Sequence, residues 1–277
     1  MIIHGMLGLG DNVYQRAFVK AMPKPIYLQT CWWQFYKDIP GVELIKPSTN
    51  LRTQNKNVEK SPNHVWTARQ RYSMGYNTQR IYYGTSGIMD GMKRCFRVSP
   101  EKIDLPDFGA PLVEGKYAMI RPVTIRKEWQ NEARAPLPEY ISQAMEILRG
   151  EGYQLVSVAD LEDGKEWLVG EYPEADITFH HGELSLERLM ALTAGAAAVV
   201  GGVGWIVPVG VAYNVPTWVI GGGHGAFNHP DLLLTKNQEH KVNFVLPDKY
   251  CRCREHHHKC NKVIKDHAEK FTRWIRG

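Results

Sequence analysis

The sequence predicts an α/β protein of two lobes, each a parallel β-sheet flanked by helices, that face each other across a central cleft. The chain has 277 residues, which exceeds the usual size of one domain and suits two. Short apolar segments alternate with amphipathic ones, as expected for strands joined by helices. Glycine-rich corners follow apolar segments at 5–10 and again at 221–225, and such corners are typical of strand-to-helix turns.

The first lobe is assigned to residues 1–113, because the proline-rich segment 99–115 is the best candidate for a linker. A polar stretch without hydrophobic periodicity at 50–63 predicts a loop. The other predicted elements of this lobe are a strand at 2–3, a helix at 12–22 and strands at 26–29 and 42–45.

The second lobe is assigned to residues 114–277. Its first strand is apolar and ends at a basic residue, Arg121. Ser185 precedes a helical pattern as a candidate N-cap. The predicted elements are strands at 117–122, 155–158, 196–200 and 217–220, and helices at 138–149, 185–192 and 261–275.

Composition indicates an ordinary globular protein, with 43% hydrophobic and 23% charged residues. No apolar run reaches the roughly 18 residues that a transmembrane helix needs. The N-terminus lacks the pattern of a signal peptide, and five cysteines argue against a disulfide framework. A cytoplasmic location is predicted.

The charge is unevenly distributed. The segment Leu51–Arg97 holds nine Lys and Arg residues against two acidic ones, whereas the whole chain has a net charge of +5. Aromatic residues are interleaved with these cations, which suits a nucleic acid or another polyanion. A solvated surface loop with a few core aromatics would give the same pattern. The predicted acceptor-binding residues are Arg69, Arg71, Tyr72 and Arg80.

Asp11 follows the first glycine-rich corner and is the candidate general base. A carboxylate at a strand-to-helix turn lies where ligands gather in open α/β sheets. The corner is not a dinucleotide fingerprint, because Val13 stands where G-x-G-x-x-G requires its third glycine. The simpler alternative is that Asp11 only caps the first helix.

A diphosphate site is predicted after the first strand of the second lobe, because cations and a hydroxyl follow that strand end. Glycine corners further along the chain would expose backbone N–H groups to the same anion. A basic loop and a flexible turn are the alternatives. The predicted donor-binding residues are Arg121, Thr124, Arg126, Lys127, Gly202, Gly204, Gly222, Gly223 and His224, with Arg134 as a further cation.

A cluster of cysteines and histidines near the C-terminus has the composition of a metal site. Cys251, Cys253, His258 and Cys260 would supply three thiolates and an imidazole, a set that suits a structural zinc ion. A reduced surface loop is the alternative, because the C-x-C spacing is tighter than usual.

Taken in order, these motifs resemble the GT-B glycosyltransferases, and specifically the heptosyltransferase-like family nine. The resemblance covers the chain from Ile2 to about Asp231. It rests on Gly10-Asp11, on the segment from Arg121 to Trp129 and on 186–216, a leucine-rich helix, a strand and an alanine-rich helix ending in Val-Pro. Family members also often carry a cysteine-rich stretch near the C-terminus, to which Cys251 to Cys260 is similar.

The resemblance implies two Rossmann-like lobes of GT-B type, a nucleotide-sugar donor in the second lobe and an acceptor in the first. Asp11 would be the catalytic base, and Arg126 and Lys127 would hold the diphosphate. The family's Asp-Ser/Thr-Gly turn is replaced by Val203-Gly204-Trp205, and Pro208 stands where its histidine falls. Heptose is therefore doubtful as the donor sugar. Without an acidic DxD-type pair near these corners, catalysis is predicted to need no metal or other cofactor.

The sequence leaves the acceptor open between two polyanions. The favoured interpretation is DNA with hydroxymethylated bases, modified by a phage-encoded enzyme, because the basic segment also contains aromatics. The alternative is a lipopolysaccharide-core, heptosyltransferase-like enzyme. A non-catalytic nucleic-acid-binding protein on this scaffold and a nucleotide-sugar epimerase also remain open.

Overall fold

The computed structural model describes residues 1–67, 86–235 and 237–277. The chain divides into two compact units. Unit 1 comprises Met1–Asp107 and Asp231–Glu239, and unit 2 comprises Phe108–Pro230 and His240–Gly277. The lobe boundary placed after residue 113 by the sequence therefore falls inside unit 2, and a short late segment returns to unit 1.

Unit 1 contains a three-stranded parallel sheet in the order β1-β2-β3. Its strands are β1 (Ile2–His4), β2 (Ile26–Gln29) and β3 (Val42–Ile45). Its helices are α1 (Leu9–Ala21), α2 (Arg52–Glu59) and α3 (Gly87–Phe96), with 3₁₀ turns at Trp33–Phe35 and Asn63–Val65. The loop predicted at 50–63 was wrong, because most of that stretch forms α2.

The first helix is held against the unit by a buried cation. Arg16 is 2% exposed and makes two hydrogen bonds of 2.7 Å to the carboxylate of Asp38. A second carboxylate, Asp104, lies 3.3 Å from the same guanidinium. Burial of an arginine requires such pairing, so these contacts fix the rotation of α1 and with it the direction of its first turn.

Unit 2 is built on a six-stranded parallel sheet in the order β11-β10-β9-β4-β6-β8. The strands of this sheet are β4 (Tyr117–Arg121), β6 (Gln154–Val158), β8 (Ile177–Phe179), β9 (Ala198–Gly202), β10 (Thr217–Ile220) and β11 (Val242–Val245). The first strand of this sheet along the chain is β4. The chain then adds β6 and β8 on one side of β4, and β9, β10 and β11 on the other side. This is the doubly wound arrangement, in which ligands bind where the order reverses, between β4 and β9.

A small antiparallel sheet stands beside the large one. It pairs β5 (Thr124–Arg126) with β7 (Glu166–Leu168). The helices of unit 2 are α4 (Pro138–Gly150), α5 (Leu186–Ala194), α6 (Ile206–Tyr213), α7 (Gly225–Asn228) and α9 (His267–Arg276). Helix α8 (Pro230–Leu233) begins at the last residue of this stretch of unit 2 and otherwise belongs to unit 1. Ser185 caps α5 as predicted, because its hydroxyl accepts a hydrogen bond from the Arg188 backbone N–H. Among the described residues, no helix has the length and apolar character needed to cross a bilayer.

The helix α9 closes one side of the core of unit 2 through a buried histidine. His267 is 2% exposed and lies against Tyr140, with ring centroids 4.8 Å apart. Trp218 donates its indole N–H to Nε2 of His267 over 3.3 Å, and Nδ1 lies 3.1 Å from the Gln143 amide oxygen. Burial lowers the pKa of His267 to about 4. The neutral imidazole is therefore the form that the fold accommodates.

This histidine makes the stability depend on pH. A base whose folded pKa is depressed binds its proton more readily in the unfolded chain, so stability is lost as the pH falls from about 6.5 towards 4. The depressed pKa of His267 is expected to contribute about 3 kcal/mol to the free energy of unfolding at neutral pH. Urea unfolding of the native chain and of His267→Gln, measured at intervals from pH 7 to pH 4, checks it. The native chain should lose more stability than the variant over this range, and parallel curves would contradict the assignment.

Candidate functional site

The first glycine corner is held rigid by a buried polar network. Asn12 is fully buried, and its amide donates to the carbonyl oxygens of Met6 and Gly8 over 2.6 and 2.8 Å. Thr30 and Tyr36 each donate a hydroxyl proton to the Asn12 side-chain oxygen, over 2.8 and 2.9 Å. Buried networks that are fully satisfied fix a single geometry. The corner is therefore preorganised by residues that the sequence reasoning missed.

Two further donors hold the middle of this corner. The carbonyl oxygen of Leu7 accepts 2.8 Å hydrogen bonds from Trp32 and from the amide of Gln54. Gly5 is required for close approach, because a Cβ atom there would lie 2.5 Å from the Gln29 carbonyl oxygen. The signal available in the sequence was the run of polar residues on the inner face of α1, and only the fold reveals where that face points.

Asp11 lies in the first turn of α1 and is partly exposed. It is not the N-cap, because Gly8 occupies that position and no side chain caps the helix. The carboxylate folds back over the corner, where a Cβ atom on Gly8 would overlap it. A glycine at position 8 thus leaves space for a carboxylate at the carboxyl end of β1.

Unit 2 gathers three arginines after the carboxyl end of β4. Arg121 ends β4 and pairs in register with Gly201 of β9, at the point where the strand order reverses. Burial, together with the positive charges of Arg126 and Arg134, lowers the pKa of Arg121 to about 10. The guanidinium lies beside Gly204, where a Cβ atom would be 3.1 Å from Nη1. The cations repel one another, so this geometry favours an anion between them.

One buried carboxylate orients part of this cluster. Glu166 of β7 is 3% exposed, and it pairs with Nε of Arg126 over 2.8 Å. It also accepts a 2.8 Å hydrogen bond from the hydroxyl of Thr124. Thr124 and Arg126 are thus both held by the carboxylate of Glu166. Lys127 is exposed in the turn that follows.

The later glycines pack closely against protein. Gly202 is buried, and a Cβ atom there would lie 2.9 Å from the ring of Pro136. Gly222 and Gly223 are also buried, and side chains on them would overlap the backbone at Ala135 and the sulfur of Cys260. The Gly223 N–H donates 2.6 Å to the Ala133 carbonyl oxygen. In the structure these two glycines join the corner after β10 to the loop that carries Arg134.

His224 is part of the same junction. It is 6% exposed and has left-handed backbone angles, with φ 55°. Nδ1 lies 3.1 and 3.2 Å from the side-chain amides of Asn131 and Asn228, and Nε2 lies 3.1 Å from the Arg254 carbonyl oxygen. Burial and the nearby His256 and Arg134 hold its pKa below the usual value. Both ring nitrogens have protein partners, so His224 fixes the corner in the structure.

The cysteine and histidine cluster assembles as the sequence predicts. One ligand atom from each of Cys251, Cys253, His258 and Cys260 lies within 4.8 Å of all the others. The Cys253 and Cys260 sulfurs are 3.5 Å apart, and the His258 Nδ1 lies 3.3 Å from the Cys260 sulfur. Ligands of a tetrahedral zinc ion with Zn–S bonds near 2.3 Å are separated by about 3.8 Å. The four residues therefore fit a closed tetrahedral metal site.

This cluster is tied to the donor-side corners. The Gly225 N–H donates to the Cys251 carbonyl oxygen over 3.0 Å, and the Ala133 N–H donates to the His256 carbonyl oxygen over 2.8 Å. The Lys262 ammonium donates to the Glu132 carbonyl oxygen over 2.6 Å. A metal ion here would stabilise both the corner after β10 and the loop that presents Arg134.

The predicted acceptor-binding residues Arg69, Arg71, Tyr72 and Arg80 lie outside the described residues. Of the aromatics in that basic segment, Trp66 and Phe96 are described. The Trp66 indole N–H donates to the hydroxyl of Ser61 over 2.9 Å.

No protein-family model matches the sequence, and no curated protein has a significantly similar sequence. Solved structures do match. TibC, a dodecameric iron-containing heptosyltransferase of enterotoxigenic E. coli solved with ADP-D-beta-D-heptose, superposes with a TM-score of 0.60 at 16% identity, over 99% of this chain and 72% of that chain. The ADP-heptose lipopolysaccharide heptosyltransferase II of E. coli superposes with a TM-score of 0.56 at 13% identity, over 99% of this chain and 97% of that chain. A family 9 glycosyl transferase from Veillonella parvula superposes with a TM-score of 0.55 at 14% identity, over 88% of this chain and 86% of that chain.

These similarities confirm the predicted fold. Each unit contains a parallel sheet, and the order of the strands in these sheets agrees with the predicted fold of two Rossmann-like lobes. The chain therefore has the GT-B fold, and it resembles the heptosyltransferases and other glycosyltransferases of family nine.

Proposed function

We propose that the protein is a glycosyltransferase that moves a sugar from a nucleoside-diphosphate donor to a hydroxyl group of an anionic saccharide acceptor. The observation that carries the proposal is the arginine cluster at the reversal point of the unit 2 sheet. Arg121 is charged there in spite of burial and of two cationic neighbours. A diphosphate would neutralise this repulsion in the donor complex and again as the leaving group departs.

Each residue then has a defined task. Arg121, Arg126 and Arg134 bind the diphosphate, and Glu166 keeps Arg126 in place through its 2.8 Å ion pair. Asp11 takes the proton of the acceptor hydroxyl as the sugar carbon is attacked. The buried network around Asn12 fixes the first turn of α1, which carries Asp11, and general-base catalysis requires a positioned base.

The Cys251, Cys253, His258 and Cys260 cluster is proposed to hold one structural metal ion. Three thiolates and an imidazole suit zinc, and they also suit iron. The TibC neighbour is described as iron-containing. The ion would fix the corner at 221–225, and the acid–base step uses Asp11 alone.

The acceptor is proposed to be a phosphorylated saccharide of the lipopolysaccharide-core type. Heptosyltransferase II, named for lipopolysaccharide and ADP-heptose, matches over 99% of this chain and 97% of its own. This supports the lipopolysaccharide alternative over hydroxymethylated DNA. The four residues predicted to bind the acceptor, Arg69, Arg71, Tyr72 and Arg80, lie outside the described ranges. The donor sugar stays open, because Val203 replaces the family's carboxylate.

The test is a ligand screen followed by a transfer assay. Nucleoside diphosphates, with ADP first, are expected to raise the melting temperature, because a ligand that binds only the native state stabilises it. Release of nucleoside diphosphate from a nucleotide sugar is then measured with lipopolysaccharide core and with hydroxymethylated DNA as acceptors. The proposal fails if no nucleoside diphosphate binds. Transfer to DNA alone would restore the first interpretation of the acceptor.

Replacing Arg121 with Met is expected to affect stability and binding in opposite directions. The variant removes a half-buried charge that repels two neighbours, so the melting temperature without ligand should rise. ADP binding should weaken by about 10- to 100-fold, because charge-assisted hydrogen bonds are lost. Calorimetric titration and thermal unfolding measure the two effects. Arg188→Met, at an exposed position on α5, is the control and should change neither.

A further inference from the structure

The β5–β7 sheet carries an exposed tryptophan on each of its two faces. Trp129 is 50% exposed and Trp167 is 44% exposed. Trp167 pairs in register with Ile125. Trp129 forms an isolated antiparallel bridge with Arg126. Directly paired residues project from the same face of an antiparallel sheet, so Trp129 shares the face of Arg126 and Trp167 lies on the opposite one.

The face of Trp129 is also the face of the anion site. Glu166 pairs in register with Arg126, and Thr124 donates to Glu166, so all of these side chains project together. The Arg134 guanidinium lies 5.8 Å from the centroid of the Trp129 ring. A cation at this distance attracts the electron-rich face of an indole. One side of the ring is thus held beside the arginine cluster while half of the residue stays open to solvent.

We propose that Trp129 is a donor-binding residue that stacks on a ring attached to the diphosphate. This inference rests on the proposed function, because it takes the arginine cluster as the diphosphate site. A diphosphate carries two substituents, a nucleobase-bearing ribose and a sugar, and each is only a few bonds from a phosphorus atom. A diphosphate bound in the arginine cluster therefore brings both substituents close to the indole. Both offer a flat or C–H-rich surface to an aromatic ring, and the rigid indole contributes contact area at a small cost in conformational entropy. Arg134 holds the ring in place for that contact.

The chain offers a matched control on the other face. Trp167→Ala removes an indole of nearly equal exposure from the same small sheet, without touching the arginine side. Trp129→Phe keeps an aromatic face and serves as the conservative variant. Melting temperatures of all variants report whether the sheet is intact, and a fall shared by both alanine variants is a property of the sheet alone.

The experiment measures the binding of pyrophosphate, ADP and an ADP-sugar to each variant by calorimetric titration. Trp129→Ala is expected to bind pyrophosphate as the native chain does. It should bind the ligand that carries the stacked ring about tenfold more weakly. A loss that appears with ADP assigns the stacking to the nucleoside, and a loss confined to the ADP-sugar assigns it to the sugar. Trp129→Phe should recover most of the affinity, and Trp167→Ala should keep all of it.

Two results would overturn the inference, and they are distinguishable from each other. If Trp129→Ala binds all three ligands as the native chain does, or if Trp167→Ala loses the same affinity, the stacking role is wrong while the donor site stands. If the native chain binds neither pyrophosphate nor ADP, the donor site itself is wrong and the role of Trp129 falls with it.

Discussion

Replacement of Asp11 by Asn is expected to lower kcat by about 10²- to 10⁴-fold, the usual contribution of a positioned general base. The amide keeps the size of the carboxylate but accepts no proton at neutral pH. Substrate affinity should change little, because proton transfer belongs to the transition state. The measurement is a steady-state transfer assay with the acceptor that the screen identifies, together with calorimetric titration of the donor.

The control for this variant is Asp90→Asn on α3. Asp90 is exposed and occupies the first helical turn, as Asp11 does on α1. Both changes remove a favourable interaction with a helix N-terminus, which costs about 0.3–1 kcal/mol. Equal small losses of stability with a loss of kcat confined to Asp11→Asn would separate catalysis from the electrostatic stabilisation of a helix N-terminus. Full activity in Asp11→Asn would show that the residue only stabilises its helix.

Loss of one cysteine from the metal cluster is expected to give the largest change in stability. Cys260→Ser should abolish stoichiometric metal binding and destabilise unit 2 by about 4 kcal/mol, a fall in Tm on the order of 10 °C. The reason is that metal binding to a closed site contributes directly to the folding free energy. Gly223 packs directly against the Cys260 sulfur, so the loss should extend to the corner after β10.

Elemental analysis and thermal unfolding of the purified chain provide the measurement. Cys95→Ser is the matched control, because that partly exposed thiol lies on α3 of unit 1, outside the cluster. Treatment of the native chain with a strong chelator should reproduce the effect of Cys260→Ser. A native chain that contains no bound metal, or a Cys260→Ser variant with unchanged Tm, would show that the four residues form only a hydrogen-bonded loop.

Much of the fold could be predicted from local signals. Apolar runs such as 117–121 predicted the strands β4, β6, β9 and β10 of unit 2 but not β5, β7, β8 or β11. Ser185 marked the start of a helix because a capping side chain has a recognisable position in sequence. The helix at Arg52–Glu59 was missed because it is polar and has only two buried side chains, Gln54 and Val58. A helix with so little apolar surface is stabilised by tertiary contacts that no local periodicity reveals.

The candidate site divides in the same way. The arginines after β4 could be identified because a cation at a strand end has a clear chemical meaning. The buried partners Asn12 and Glu166 could not, since their roles depend on contacts between segments distant in sequence. Glycine at 222 and 223 was interpreted as exposed backbone, whereas the structure uses both for close packing against the loop at 133–135.

The segment Asp231–Glu239 returns to unit 1, so it limits when unit 1 can finish folding during synthesis. Tyr14 on α1 donates its hydroxyl proton to the Leu233 carbonyl oxygen, and Gly87 packs against the backbone of Leu232. The amide side chain of Gln238 exchanges two hydrogen bonds, of 2.8 and 2.9 Å, with the backbone of Ile103. These partners leave the ribosome more than a hundred residues after α1. Unit 1 therefore lacks these contacts during synthesis until most of unit 2 has left the ribosome.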